Sequence, residues 1–240
     1  MSPSWTGGII LNNIFSPKIL SPFAWFRSDQ GVTTVSGAVS QWNDLSGDGY
    51  NVSQSISAQR PTYNTSGGIN GRPRLTFPTV DGNYGLFNSS FTLAVYPVEV
   101  FVVATTTATN PTYNAIMLDL GNQNNIVYQV SGTNNLGFYN GTGPDAVAIS
   151  VNTPFIADAY NNGDITSFIT INGTTTSTGY VGITAQAATK LTIGNYNGIA
   201  AGGNGFGGDI YEIIVFNYHL SSAQRTQVLN YLSSLYKITI

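Results

Sequence analysis

The stretch Asp209-Ile210-Tyr211-Glu212-Ile213-Ile214-Val215-Phe216 decides the fold. Apolar, largely β-branched or aromatic side chains fill it, and on a strand residues two apart point to the same face. Alternation places Tyr211, Ile213 and Val215 on one side and Ile210, Glu212, Ile214 and Phe216 on the other. Both faces are then largely apolar, which marks a central strand covered on both sides. Just downstream, Ser221 stands where it can cap a helix and Gln224 completes a capping box, while Val228, Leu232 and Leu235 fall on one face. This predicts one amphipathic helix lying on the sheet as a lid.

Upstream, short β-branched and aromatic runs recur at residues 98–104, 125–130, 146–151, 166–171 and 190–193. Between them lie turn formers: Asn122-Gln123-Asn124-Asn125, Asn134-Asn135, Asn161-Asn162-Gly163-Asp164, Asn172-Gly173 and Gly202-Gly203-Asn204-Gly205. Asn-Gly steps tolerate positive φ, so Asn172-Gly173 gives the clearest hairpin. Many short strands punctuated this way spell an all-β sandwich or barrel. Residues 1–21 surround a broken apolar patch, Ile9-Ile10-Leu11 and Ile14-Phe15, with Gly, Pro and Ser, and read as an N-terminal arm or an irregular edge strand. Residues 22–240 show no linker and read as one domain.

Charged residues make up 8 % of the chain, against roughly 25 % in typical globular proteins. Solubility must come from Asn, Ser, Thr, Gln and Gly, a surface suited to copies packed densely side by side, where like-charge repulsion would be costly. The eight Lys and Arg residues are scattered singly, which leaves no basic stripe for nucleic acid. Cysteine is absent, so disulfides, zinc-thiolate sites and thiol nucleophiles are excluded. No basic residue precedes the N-terminal apolar patch, so it does not read as a signal peptide. No run of about eighteen apolar residues reads as a membrane span. An extracellular role would then need another exit, such as release inside a virus particle.

Two further stretches resemble a known family. Ala24-Trp25-Phe26-Arg27-Ser28-Asp29 followed by Val39-Ser40-Gln41-Trp42-Asn43-Asp44-Leu45-Ser46-Gly47-Asp48-Gly49 is similar to the opening of laminin G-like domains of the concanavalin A-like lectin/glucanase fold. Arg60-Pro61-Thr62-Tyr63, Asn70-Gly71-Arg72-Pro73 and Leu75-Thr76-Phe77 resemble that family's next segments, and residues 208–236 its final strand and helix. The resemblance implies an all-β, concanavalin A-like jelly-roll sandwich of two antiparallel sheets with one C-terminal helix. It also implies a glycan-binding, adhesive or structural module of bacterial-surface and phage proteins. Fold kinship alone does not establish binding.

Relatives that cleave glycans carry closely spaced acids, because retaining cleavage needs two carboxyl groups about 5 Å apart. Here the glutamates are Glu99 and Glu212, neither with an acid two residues away. Both read as carboxylates held by hydrogen bonds, and no enzymatic activity is expected; a glycan hydrolase would require distant acids to meet in space. His219 lacks the partners of a metal site or a triad and reads as structural. The resemblance allows an oxygen-lined calcium site, for which Asp44, Asp48, Asp81, Asn83 and Asp209 are the candidates. Sugar binding needs an aromatic face for C–H groups and amides for hydroxyls. Tyr196, Asn197, Asn204 and Phe206 supply both in one Gly-rich loop, with Trp42, Tyr50 and Tyr84 as weaker aromatic candidates.

The reading that results is a virion-surface decoration, fibre or tail-associated protein, attached to other virion proteins through residues 1–21, with a lectin-like adhesion domain. A free-standing carbohydrate-binding module for cell-surface polysaccharide is the alternative, and the two can coexist. Host-surface glycan and further copies of the chain are the remaining partners considered.

Overall fold

A computed structural model describes residues 15–78, 82–94, 97–121, 126–139, 145–178, 189–196 and 204–240. Among these, seventeen strands and three short 3-10 turns precede one α-helix. The first seven are β1 (Ala24–Arg27), β2 (Val32–Val35), β3 (Ala38–Trp42), β4 (Val52–Ser53), β5 (Thr62–Asn64), β6 (Arg74–Pro78) and β7 (Leu86–Asn88). The next five are β8 (Val98–Thr106), β9 (Ala115–Asp119), β10 (Ile126–Gln129), β11 (Asn135–Tyr139) and β12 (Asp145–Ala148). β13 (Phe155–Asn161), β14 (Phe168–Ile171), β15 (Thr174–Thr178), β16 (Leu191–Ile193) and β17 (Gly207–Phe216) follow, then α1 (Ser222–Tyr236).

Hydrogen bonds join all the strands into one antiparallel network with β17 as its axis. β8 runs along one edge of β17, while β6 and β1 follow each other along the opposite edge. Beyond β8 the network continues through β13 and β14 to β15. Beyond β6 it passes through β5, β3, β4, β7, β16, β9, β10 and β11 to β12. The end strands β12 and β15 then come to lie beside each other, so the sheet is rolled nearly closed, in the manner of a barrel. The all-β, antiparallel architecture expected from the sequence is present, and its ladder is continuous: Thr62 of β5 pairs with both Ala38 and Thr76, which carries it around the bend.

Inside the roll sits the main core, where Phe26, Trp42, Phe77, Phe138 and Phe206 pack with Val100, Val102, Ile213 and Val215. Strict alternation fails on β17 at one point. Ile210 pairs with Ala104 and Glu212 with Val103, leaving Tyr211 as a bulge. One extra residue shifts the register of faces. Ile210 thus points inward with Ile213 and Val215, while Tyr211 joins Ile214 and Phe216 on the outside.

That outer face is covered by α1 through Val228, Leu229, Leu232 and Tyr236, with Leu235 packed at the margin. The capping box forms as the sequence predicts: Ser221 Oγ accepts from Gln224 N–H, and Gln224 Oε1 accepts from Ser221 N–H. The Asn172-Gly173 hairpin also forms between β14 and β15, with φ of 51° and 73° at its two central residues, the left-handed pair that a type I′ turn requires. Of the N-terminal 21 residues, 1–14 lie outside the described residues. Phe15 packs edge-on against Tyr231 of α1, and the Tyr218 hydroxyl donates to the Leu20 carbonyl.

Candidate functional site

On the outward face of β9, β10 and β11, away from α1, lies a concavity of about 540 Å³. It falls within the roughly 300–1,000 Å³ of small-ligand sites. Asn114, Ile116, Ile126, Tyr128, Val130, Tyr139, Tyr196 and Asn204 line it. Register explains how they meet. Ile126 and Tyr128 alternate outward on β10, Tyr139 pairs with Ile126 on β11, and Ile116 pairs with Tyr128 on β9 after a bulge. The Asn204 carbonyl accepts from Ile116 N–H, which brings the segment after β16 against the same face.

Ile116, Ile126 and Tyr128 are nearly buried and form the floor, while Val130, Tyr139 and Tyr196 are half-buried against them. Asn114 is exposed at the rim. Gly137 pairs across from Tyr128, and a Cβ there would stand 3.0 Å from the tyrosine ring. The missing side chain is what lets the Tyr128 ring lie down on the sheet. Burial, with the Tyr139 phenol nearby, pushes the Tyr128 hydroxyl up to about 12, so it stays protonated at neutral pH and can both donate and accept. The arrangement offers apolar and aromatic surface flanked by amides and a phenol.

No protein-family model matches the chain, and no curated protein matches it in sequence. Solved structures do share its fold. Trypanosoma rangeli sialidase in complex with sialic acid aligns at 12 % identity and a TM-score of 0.57, over 88 % of this chain and 32 % of the sialidase. Domain 4 of AbnA, a GH43 extracellular arabinanase from Geobacillus stearothermophilus, in complex with arabinotriose, aligns at 13 % and 0.59, over 87 % of this chain and 96 % of that domain. A GH54 arabinofuranosidase aligns at 13 % and 0.58, over 83 % of this chain and 51 % of the enzyme. The chain thus spans about a third of the sialidase and half of the arabinofuranosidase.

These likenesses overturn the expectation that the chain has no enzymatic activity, because the solved chains sharing its fold come mainly from glycoside hydrolases. At such identities they carry the fold and assign no catalytic residue here.

The sequence-derived sugar candidates separate. Tyr196 and Asn204 line the concavity, and Asn197 lies outside the described residues. Phe206 is corrected: it is fully buried beside Phe77, because the segment returns inward to begin β17. Trp42 is fully buried, with its indole N–H donated to the Arg27 carbonyl. Tyr50 packs on Phe23 and Phe91, and Tyr84 leans on the core. Six lining residues went unread: Asn114, Ile116, Ile126, Tyr128, Val130 and Tyr139. Their available signal was an apolar outward series, Ile126, Tyr128 and Val130, where a solvent-facing strand should be polar.

The calcium candidates do not converge. Asp44 accepts from the backbone of Trp25, Ser46 and Tyr50 and from the Ser46 hydroxyl, which makes it the clasp of a turn. Asp209 is held by Arg74 at 3.2 Å and by the Thr76 hydroxyl. Asp48 is exposed, Asp81 lies outside the described residues, and Asn83 has partners of its own. Among the described residues no three His, Asp or Glu side chains gather as metal ligands.

Two acids do meet on the helix side. Glu99 and Asp158, on neighbouring strands and both fully buried, face Arg225 at the start of α1, with Arg225 Nε 2.7 Å from Glu99 Oε1 and 3.3 Å from Asp158 Oδ2. Glu99 Oε2 accepts from Leu220 N–H, whereas neither Asp158 oxygen receives a hydrogen bond among the described residues. Burial raises both carboxyls, Asp158 well above its ordinary range. His219 stacks on Tyr160 at 4.2 Å and lies 3.1 Å from the same guanidinium, a packing role as read from sequence. The cluster fastens the entry of α1 to β8 and β13.

Proposed function

We propose that this chain binds carbohydrate through the tyrosine-lined concavity, as a laminin G-like module whose rolled sheet serves as a two-sheet jelly roll. The observation that carries the reading is the half-buried pair Tyr139 and Tyr196 beside an apolar floor of Ile116, Ile126 and Tyr128, with Asn114 and Asn204 next to them. Sugar rings present C–H groups to such aromatic surface and hydroxyls to amides and phenols. The solved AbnA domain, matched over nearly its whole length, is a complex with arabinotriose, which supports a sugar ligand for a chain of this shape.

On a glycan array the wild type is expected to bind at least one polysaccharide, and Tyr139→Ala and Tyr196→Ala each to weaken that binding about tenfold, the size of one lost aromatic contact. Silence from the wild type across plant, bacterial and animal glycans would remove the proposal.

The setting we propose is a virion surface, with residues 1–21 docking on other virion proteins. The 8 % charge content supports it, since closely packed copies then repel one another little. Full-length chain should sediment with intact particles and a chain lacking residues 1–21 should not. Equal sedimentation of both would refute the docking role.

A further inference from the structure

We infer that the concavity selects uncharged glycans over acidic ones, an inference that rests on the carbohydrate reading of the site. Among the described residues, none of the eight that line it carries a charge. The pattern extends well beyond them. Residues 100–118, 120–144 and 191–208 contain all eight, and these three stretches hold no Asp, Glu, Lys, Arg or His.

One acid, Asp119, separates the first two stretches, and Lys190 precedes the third. Asp119 pairs with Ile126 beside the floor, is fully buried, and accepts from Gly121 N–H at 2.7 Å. Lys190 precedes β16 at the end away from Tyr196 and is not among the lining residues.

A sugar carboxylate set down on this surface would leave water without gaining a cation. Recognition of carboxylates is normally built on Arg or Lys, whose charged hydrogen bonds offset the lost hydration. Here the carboxylate would face Tyr and Ile surface, so its desolvation goes uncompensated. Neutral hydroxyls meet no such cost: Asn114, Asn204 and the Tyr128 phenol offer donors and acceptors of matching strength.

The test uses the full-length chain against arabinan, mannan and β-glucan on one side and polygalacturonate, hyaluronan and polysialic acid on the other. Low and high salt are both needed, because the net charge of −3 repels polyanions generally and salt screens that term. The expected result is binding to a neutral polymer that Tyr196→Ala weakens, with acidic polymers about tenfold weaker or worse at both salts. Asn114→Arg, at an exposed rim position, should narrow that gap by strengthening acidic polymers.

An acidic polymer bound as tightly as any neutral one, and lost in Tyr196→Ala, overturns the selectivity while leaving the carbohydrate site standing. Binding of no polymer by the wild type overturns both.

Discussion

Replacing Arg225 with methionine is expected to lower stability by about 3–5 kcal/mol at neutral pH, the cost of stripping one partner from a buried ionic cluster. Arg225 is the cation that Glu99 and Asp158 face, and both acids have no exposed surface. Methionine keeps much of the volume and some contact with Phe168, whose ring the guanidinium covers at 4.5 Å. The loss should therefore report charge more than packing. In urea the midpoint should fall with the slope unchanged. The deficit should also grow with pH, because without Arg225 both carboxyls are raised further above their unfolded values and must ionise, or hold a proton, at greater cost. Asp158→Asn supplies the control. Its oxygens receive no hydrogen bond among the described residues, so the neutral isostere should change stability by less than about 1 kcal/mol in the wild type and recover part of the loss beside Arg225→Met. A loss under about 1 kcal/mol for Arg225→Met at pH 8 would show that the cluster does not hold the helix.

The second large effect is a decline in stability as pH rises from about 4.5 to about 7. Glu212 is fully buried beneath α1, and burial raises its carboxyl to about 7. It does so although Trp25 Nε1–H, Tyr231 O–H and Tyr236 O–H all donate to the carboxylate. The unfolded chain loses this proton near its ordinary value of 4.5, so between the two values the folded state binds more protons. Stability is then fully present below about 4.5 and is lost as pH climbs through about 7, by on the order of 3 kcal/mol in total. Glu99 and Asp158 are shifted in the same direction. Asp164 is shifted the other way by its hydrogen bonds to Thr166, but it is fully exposed. Thermal unfolding at pH 5 and pH 8 should thus favour pH 5, and Glu212→Gln should flatten much of the difference. A wild type more stable at pH 8 would contradict the assignment.

Local signals proved legible where one short segment contains all the information. Ser221 and Gln224 cap their helix, Asn172-Gly173 turns its hairpin, and the apolar run of β17 lies covered on both faces. What escaped depends on register between distant segments. The bulge at Tyr211 is set by pairing with β8, so counting by twos along 209–216 put Ile210 on the wrong face. Gly137 and Tyr128 reveal a site only once β10 and β11 are aligned. Glu99 and Asp158 stand 59 positions apart and meet through β8 and β13. Phe206 was misread for a related reason: Gly-rich flanks suggest an exposed loop, yet the ring turns back against Phe77.

The near closure of the roll bears on whether one copy of the chain can extend the sheet of another. With β12 and β15 brought side by side, each end of the ladder has the other against it, so a strand added there by another molecule would have to push one of them aside. Proteins usually discourage that kind of polymerisation with edge lysines and mutual repulsion, resources scarce in a chain with three lysines. Topology takes over the task where the two ends meet, which leaves Val32–Val35 of β2, paired with β3 alone among the described residues, as a short exposed edge.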